Sequence, residues 1–337
     1  MSLVLSAVAV LIMMGLVIAR WIGVRRGRSR EAERRRLIPL LLGIERSGGD
    51  YGQVEKAADL LADLATELIE MVRGEDKEAF IESATRLGVP ERLQHRLDRG
   101  SPRVRLAAAE ALGFFEDEKS IARLRGALDD PNPDVRLAAA ISLASAGHAP
   151  PAVELVEKLG IGTRENSALV VGLFRDIAVK HPDEIRGLIE SEQVNGRVKA
   201  AAIEALSASG DYSLVPLVAN LVLAADPDAE ELPRYLRALG DFGHPAAARA
   251  VHHALGSKLW WVRSAAAEAA GRIGLNDVAE RLRTLLSDPV WWVRFRAAEA
   301  LIRLGDEGRE LLIATAESGS EPACSAARLT LAERGLV

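Results

Sequence analysis

"LWWVRSAAAEAAGRIG" runs from Leu259 to Gly274 and "VWWVRFRAAEALIRLG" from Val290 to Gly305, one phrase repeated after 31 residues. Its Val-Arg-x-x-Ala-Ala core recurs at Val104-Arg105, Val135-Arg136 and Val198-Lys199, so the successive intervals are 31, 63, 64 and 31. Each doubled interval hides a weaker copy, "ENSALVVGLF" from Glu165 and "ELPRYLRALGDFG" from Glu231, and a last copy, "ACSAARLTLAERG", ends at Gly335. Eight units of about 31 residues result, and a fixed period in that range is the signature of a solenoid.

Each unit reads as two antiparallel helices. "SIARLRGALDD" and "DVAERLRTLLSD" supply first helices. The second begins at a capping signal, Ser101-Pro102, Asn132-Pro133 or Asp288-Pro289, where a side-chain oxygen can satisfy orphan amides and proline suits the first helical position. Val104, Ala108, Ala111, Leu112 and Phe115 place the apolar residues on one face. Gly147, Gly210, Gly274, Gly305 and Gly335 stand where a helix end needs a left-handed residue.

With "DDPNPDVRLAAAISLASAG" and "DPVWWVRFRAAEALIRLGD" in view, the chain from about residue 90 to 337 resembles the HEAT-like repeats of the short type also found in phycobilisome lyases. The resemblance implies an all-α, right-handed helical-hairpin solenoid, and a scaffolding role more than any chemistry. HEAT-like repeats also resemble those of deoxyhypusine hydroxylase, which holds two irons through His-Glu dipeptides. No such dipeptide occurs here.

Composition agrees. Apolar residues are 49% of the 337 but aromatics only 4%, so alanine and leucine supply the mass, favouring closely packed helices. The single cysteine, Cys324, excludes an intrachain disulfide.

The first forty residues differ in kind. "LVLSAVAVLIMMGLVIA", from Leu3 to Ala19, carries no charge and spans roughly 25 Å as a helix, which Trp21, Ile22, Gly23 and Val24 can extend. Arg20 can snorkel to headgroups and Trp21 suits the interfacial belt, so a transmembrane anchor over residues 1–24 is expected. A cleaved signal peptide is the competing reading, with Val17 and Ala19 before the cut. Its flanks are wrong, because positive charge follows the apolar run and none precedes it. Arg20, Arg25, Arg26, Arg28, Arg30, Arg34, Arg35 and Arg36 place the N-terminus outside and the body in the cytoplasm, at an inner membrane crossed once.

Eight arginines against Glu31 and Glu33 give residues 1–36 a net +6, and with −5 overall the other 301 residues carry −11. The juxtamembrane arginines suit anionic lipid, whereas the acidic body disfavours nucleic acid. A basic segment and linker over residues 25–50, a helical N-cap region over 51–97 and the solenoid over 98–337 complete the expected organisation. In the N-cap region Leu60, Leu61, Leu64, Leu68 and Ile69 form a helical stripe.

Three rows of side chains invite functional readings. Arg105, Arg136, Lys199, Arg263 and Arg294 place one cation in each unit, and Asp98, Asp129 and Asp288 lie six or seven residues before their arginines. An Asp-Arg ladder tying successive turns is the expectation, an anion-binding stripe its rival. Glu110, Glu204, Glu268 and Glu299 read as a solvated acidic face rather than paired catalytic carboxylates. His252-His253 point about 100° apart on a helix, which suits surface better than chelation. No metal or other cofactor is expected.

Trp260-Trp261 and Trp291-Trp292 precede the core valine, at positions where other units carry Arg103 or Pro133-Asp134. Exposed, they would join Phe295, Arg263 and Arg294 in an aromatic and cationic cluster of the kind that forms binding hot spots. Buried, they would be structure alone. The sequence thus points to a membrane-tethered scaffold without catalysis, whose partner is a protein, itself in the membrane, as in accessory subunits of bacterial polysaccharide glycosyltransferase systems. The alternative is an enzyme of the HEAT-like lyase type acting on a protein-bound group.

Overall fold

The computed structural model describes residues 31–43, 57–69, 71–164 and 167–336. Among these there is helix and no β-strand, and no helix is long and apolar enough to cross a membrane. The expected span over residues 3–24, with Arg20, Trp21, Arg25, Arg26 and Arg28, lies outside the described residues. The chain divides into two compact units, Met1–His148 and Ala149–Val337.

In the first unit, helix α1 (residues 31–41) buries Leu37 and Leu41, and its Arg34 sets both terminal nitrogens against the Glu67 carboxylate of α2 (Ala58–Leu68). The expected stripe on α2 forms, with Leu61, Leu64 and Ile69 buried. After α3 (Glu75–Arg86) come two helical hairpins, α4 (Val89–Arg99) with α5 (Pro102–Leu112) and α6 (Glu118–Ala127) with α7 (Pro133–Ala146). Asn132 caps α7 as expected, its side chain accepting from the Asp134 and Val135 amides at 2.8 and 3.2 Å.

The second unit holds six hairpins. They are α8 (Ala152–Leu159) and α9 (Ala168–Lys180), α10 (Pro182–Glu190) and α11 (Gly196–Leu206), and α12 (Leu214–Ala224) and α13 (Leu232–Phe242). There follow α14 (Ala248–Leu255) and α15 (Trp260–Ile273), α16 (Ala279–Leu285) and α17 (Trp291–Arg303), and α18 (Asp306–Ser318) and α19 (Glu321–Glu333). Second helices pack on second helices in order from α9 to α19. Fully burying a leucine contributes roughly 1.5–3 kcal/mol, so Leu236, Leu239, Leu255, Leu282 and Leu301, all without exposed surface, supply much of the cohesion.

Small residues set how closely these helices approach. A Cβ on Gly271 of α15 would lie 2.6 Å from the Ala300 Cα of α17, and one on Gly240 of α13 would lie 3.1 Å from the Ala269 Cα of α15. In the first unit Gly113, at the end of α5, leaves the same kind of room for Ser142 of α7, whose hydroxyl donates to the Ala109 carbonyl at 2.9 Å. All three pairs are 29 residues apart. This seam of glycine against a small residue recurs in step with the repeat.

Two local expectations are corrected. Val104 is 39% exposed, whereas Val135, Val198, Val262 and Val293 are buried. Asp288-Pro289 does not cap α17, which begins at Trp291 after Val290. The Asp288 carboxylate instead accepts from the Val290 amide at 2.9 Å, just before the helix, through the same Oδ1 that receives Arg263.

Candidate partner-binding surface

Trp260 and Trp291 are the first residues of α15 and α17, and each tryptophan pair starts its helix directly after an extended residue, Leu259 or Val290. Three sibling second helices, α5, α7 and α11, begin with Pro102, Pro133 and Gly196, whereas α13 begins with the buried Leu232. The exposed option of the sequence reading holds: Trp260, Trp261, Trp291 and Trp292 are 38, 39, 46 and 51% exposed. Phe295 is half-buried and stacks on Trp291, ring centres 5.1 Å apart and planes inclined by 11°. Trp292 meets both Trp291 and Phe295 edge to face, at 4.7 and 6.1 Å. Trp260 and Trp261 are likewise perpendicular, at 5.8 Å. Among the described residues no ring contact joins the two pairs, so the surface is two aromatic steps on neighbouring helices rather than one fused cluster.

Two members of the arginine row, Arg105 and Arg263, tie successive turns, but through partners other than the expected ones, whereas Arg136 and Arg294 donate to carbonyls of their own turns. Arg263 forks onto Asp288, Nε to Oδ2 at 2.8 Å and Nη2 to Oδ1 at 3.0 Å, while its Nη1 donates to the Ser257 and Lys258 carbonyls. Arg105 repeats the arrangement with Asp130 at 2.8 Å for both bonds, Nη1 donating to the Gly100 carbonyl. The aspartate thus comes from the following turn, 25 residues on, not from the turn just before the arginine. Asp98 pairs with Arg123 instead, at 2.8 Å. Asp288 is buried, and Asp130 nearly so. Partial burial pushes the Asp130 carboxyl up, but the Arg105 fork, the Asn132 amide and the charges of Arg105 and Arg136 outweigh it and hold the carboxyl below the usual carboxylate range.

The acidic row is not a bare solvated face. Glu204 takes a two-point bond from Arg234 at 2.7 and 2.8 Å. Across α13, α15 and α17 the charges alternate: Asp241 pairs with Arg272, Arg272 with Glu268 at 3.7 Å, Glu268 with Arg296 at 3.6 Å, and Arg296 with Glu299 at 2.8 Å. Each second helix therefore answers its neighbour's charge, in α15 and α17 on the later turns of helices whose first turns carry the tryptophans. Sequence reasoning missed the arginine members, Arg234, Arg272 and Arg296.

Tyr235 stands in α13 where α5, α7, α11, α15 and α17 carry the row cation. It is buried, and its hydroxyl donates to the Gly196 carbonyl at 3.0 Å. Burial, then the charge of Glu231, pushes its pKa up. His252 lies on the surface with Nε2 2.7 Å from Asp277, and no group of three potential metal ligands occurs among the described residues.

Comparison with known proteins agrees with the repeat reading. A HEAT-repeat family model matches residues 89–168 and 218–302, in keeping with the all-helical solenoid fold. Solved structures similar to the chain include three of Kap121p. One is a mutant (13% identity, TM-score 0.49, 90% of this chain and 39% of that one). Another is bound to Pho4p (12%, 0.49, 90% and 39%). The third, described as a karyopherin, is bound to the extreme C-terminus of the protein phosphatase Cdc14p (13%, 0.48, 90% and 39%). The chain spans about two fifths of the length of these proteins. No curated protein matches.

Proposed function

We propose that this chain is a scaffold tethered to the inner membrane, with its N-terminus outside and its solenoid in the cytoplasm, that binds a protein partner through the tryptophan steps of α15 and α17. The observation that carries the reading is the exposure of Trp260, Trp261, Trp291 and Trp292 in a molecule whose core is alanine and leucine. Aromatic side chains beside arginine are the usual anchors of interfaces, and fixed helix starts present them without an ordering cost. Arg296 stands over the Phe295 ring at 5.7 Å, and Arg263 and Arg294 each follow their tryptophan pair by two residues. A membrane protein is the partner that the tether favours, as in an accessory subunit of a polysaccharide glycosyltransferase assembly. Arg20, Trp21, Arg25, Arg26 and Arg28 would seat the anchor against anionic headgroups.

Replacing Trp260 and Trp291 together with serine tests the site. Crosslinked capture from membranes with the anchor intact should lose the partner while circular dichroism stays unchanged. A hot-spot truncation typically costs at least ~2 kcal/mol, roughly thirtyfold in affinity. Unaltered capture by a folded double variant would reject the surface. A reporter fused after Val337 should be active only in the cytoplasm, and periplasmic activity would overturn the topology.

A further inference from the structure

Arg105, Arg263 and Arg294 occupy one structural position, four residues past the N-caps Ser101, Leu259 and Val290. All three anchor Nη1 on carbonyls of their own preceding turn. For Arg294 these are Asp288 at 2.8 Å and Pro289 at 3.1 Å. Arg105 and Arg263 close their remaining nitrogens, Nε and Nη2, on an aspartate that stands two residues before the next second helix's N-cap: Asp130 before Asn132, Asp288 before Val290. For Arg294 that place belongs to Ser318, two residues before Ser320, and the Ser318 hydroxyl donates to its own helix, to the Ala314 carbonyl at 2.9 Å. Among the described residues, Nε and Nη2 of Arg294 have no hydrogen-bond or ion-pair partner, and neither is sealed from solvent.

We propose that a side-chain carboxylate of the protein partner takes the seat at Arg294 that Asp130 and Asp288 fill in the sibling turns, while Trp291, Trp292 and Phe295 cover the apolar part of the same segment. The inference rests on the proposed scaffold function and names the chemistry of its partner. The siblings fix the geometry, because Nη1 is anchored alike in all three arginines and a guanidinium is planar, so the fork of Arg294 is already aimed. The aromatic step adjoins it through Trp291, Trp292 and Phe295, residues of the same two helical turns. Lys258, exposed on the turn before Trp260, adds a cation that has no ion pair among the described residues. Glu321, exposed at the start of α19, is the acid that a partner's carboxylate must avoid. An acidic segment interleaved with apolar residues fits this surface, and a basic one does not.

The test uses the full chain in nanodiscs of zwitterionic lipid. Two fluorescein-labelled peptides serve as probes, one alternating glutamate with leucine and the other with glutamine in place of glutamate. The glutamate peptide should bind about tenfold or more tighter, as a hydrogen bond to a charged group implies. Arg294→Gln should reduce that preference to under about twofold. Ser318→Asp should do the same from the opposite direction, by supplying the missing carboxylate within the chain, and should raise the melting temperature. Trp260→Ser with Trp291→Ser should weaken both peptides alike. If the wild type binds both peptides equally and the tryptophan variant loses both, the carboxylate seat is overturned and the aromatic surface stands. If neither peptide binds, or Ser318→Asp folds and keeps the full preference, the seat is overturned as well. Loss of partner capture in the tryptophan variant reports on the scaffold reading separately.

Discussion

Gly271 of α15 faces Ala300 of α17 so closely that an added methyl would sit 2.6 Å from the Ala300 Cα and 2.9 Å from its Cβ. Two effects oppose each other in Gly271→Ala. Alanine in a helix interior is worth about 1 kcal/mol over glycine, but overpacking against a backbone that cannot swing aside costs about 1–3 kcal/mol. Overpacking should win, lowering the melting temperature by a few degrees. Gly187, within α10 and with open space around it, should instead gain stability on the same change. Differential scanning calorimetry of the two variants checks the ordering.

Arg263 and Arg294 share a position and differ in their burden. Arg263→Ala strands the buried Asp288 carboxylate and should cost about 3–5 kcal/mol, while Arg294→Ala strands two carbonyls at the edge of solvent and should cost about 1 kcal/mol. Arg263→Lys should recover little, since an ammonium cannot make the two-point bond. Equal losses in urea melts of the two alanine variants would show that the ladder does not depend on its aspartates.

Acid should weaken the protein through Asp130. Its carboxyl is held below the ordinary value of about 3.9, so the stabilisation is present above that pH and is lost as pH falls through the lower, folded value. Asp59, held down first by the Arg92 bond and also by Arg96, acts with the same sign. Asp130→Asn should be less stable than wild type at pH 6 and should lose less on going to about pH 3, a difference that urea midpoints against pH will show.

Trp292→Ser should barely affect the fold. The ring is half exposed and forfeits two edge-to-face contacts, about 1 kcal/mol and a shift of about 2–4 °C. Phe174→Ala, at a site with no exposed surface, should cost about 3–5 kcal/mol. A comparable loss at both positions would make Trp292 part of the core.

The repeat itself was legible because it is periodic. Glycine ended the helices where expected, with Gly147, Gly210, Gly274, Gly305 and Gly335 all at positive φ. Position also told the tryptophans apart from core, since residues that siblings replace by proline or glycine cannot be holding those siblings together. What failed was partner choice. The acids nearest to each arginine in sequence, Asp98 and Asp129, looked like its partners, yet stacking advances one unit per hairpin and brings the following turn, 25 residues on, within reach. The glycine seam escaped notice for a similar reason. Its members are 29 residues apart, two short of the repeat, because a helix touches its neighbour at a slightly earlier level than its own equivalent position. Pairings between units obey the stack, which the order of residues along one helix does not display.

Asp288 lends its carboxylate to Arg263 and its carbonyl to Arg294, so one residue joins two consecutive units at the turn edge. Under tension applied along the stack, these joints would be loaded in series. Each would have to open before the next repeat could peel away. Pulled between its ends in an optical trap, the solenoid should therefore extend in steps of about one repeat, and Arg263→Ala should merge the step at that joint with its neighbour. A protein with such an edge behaves as a compliant tie whose weakest rung sets the yield force.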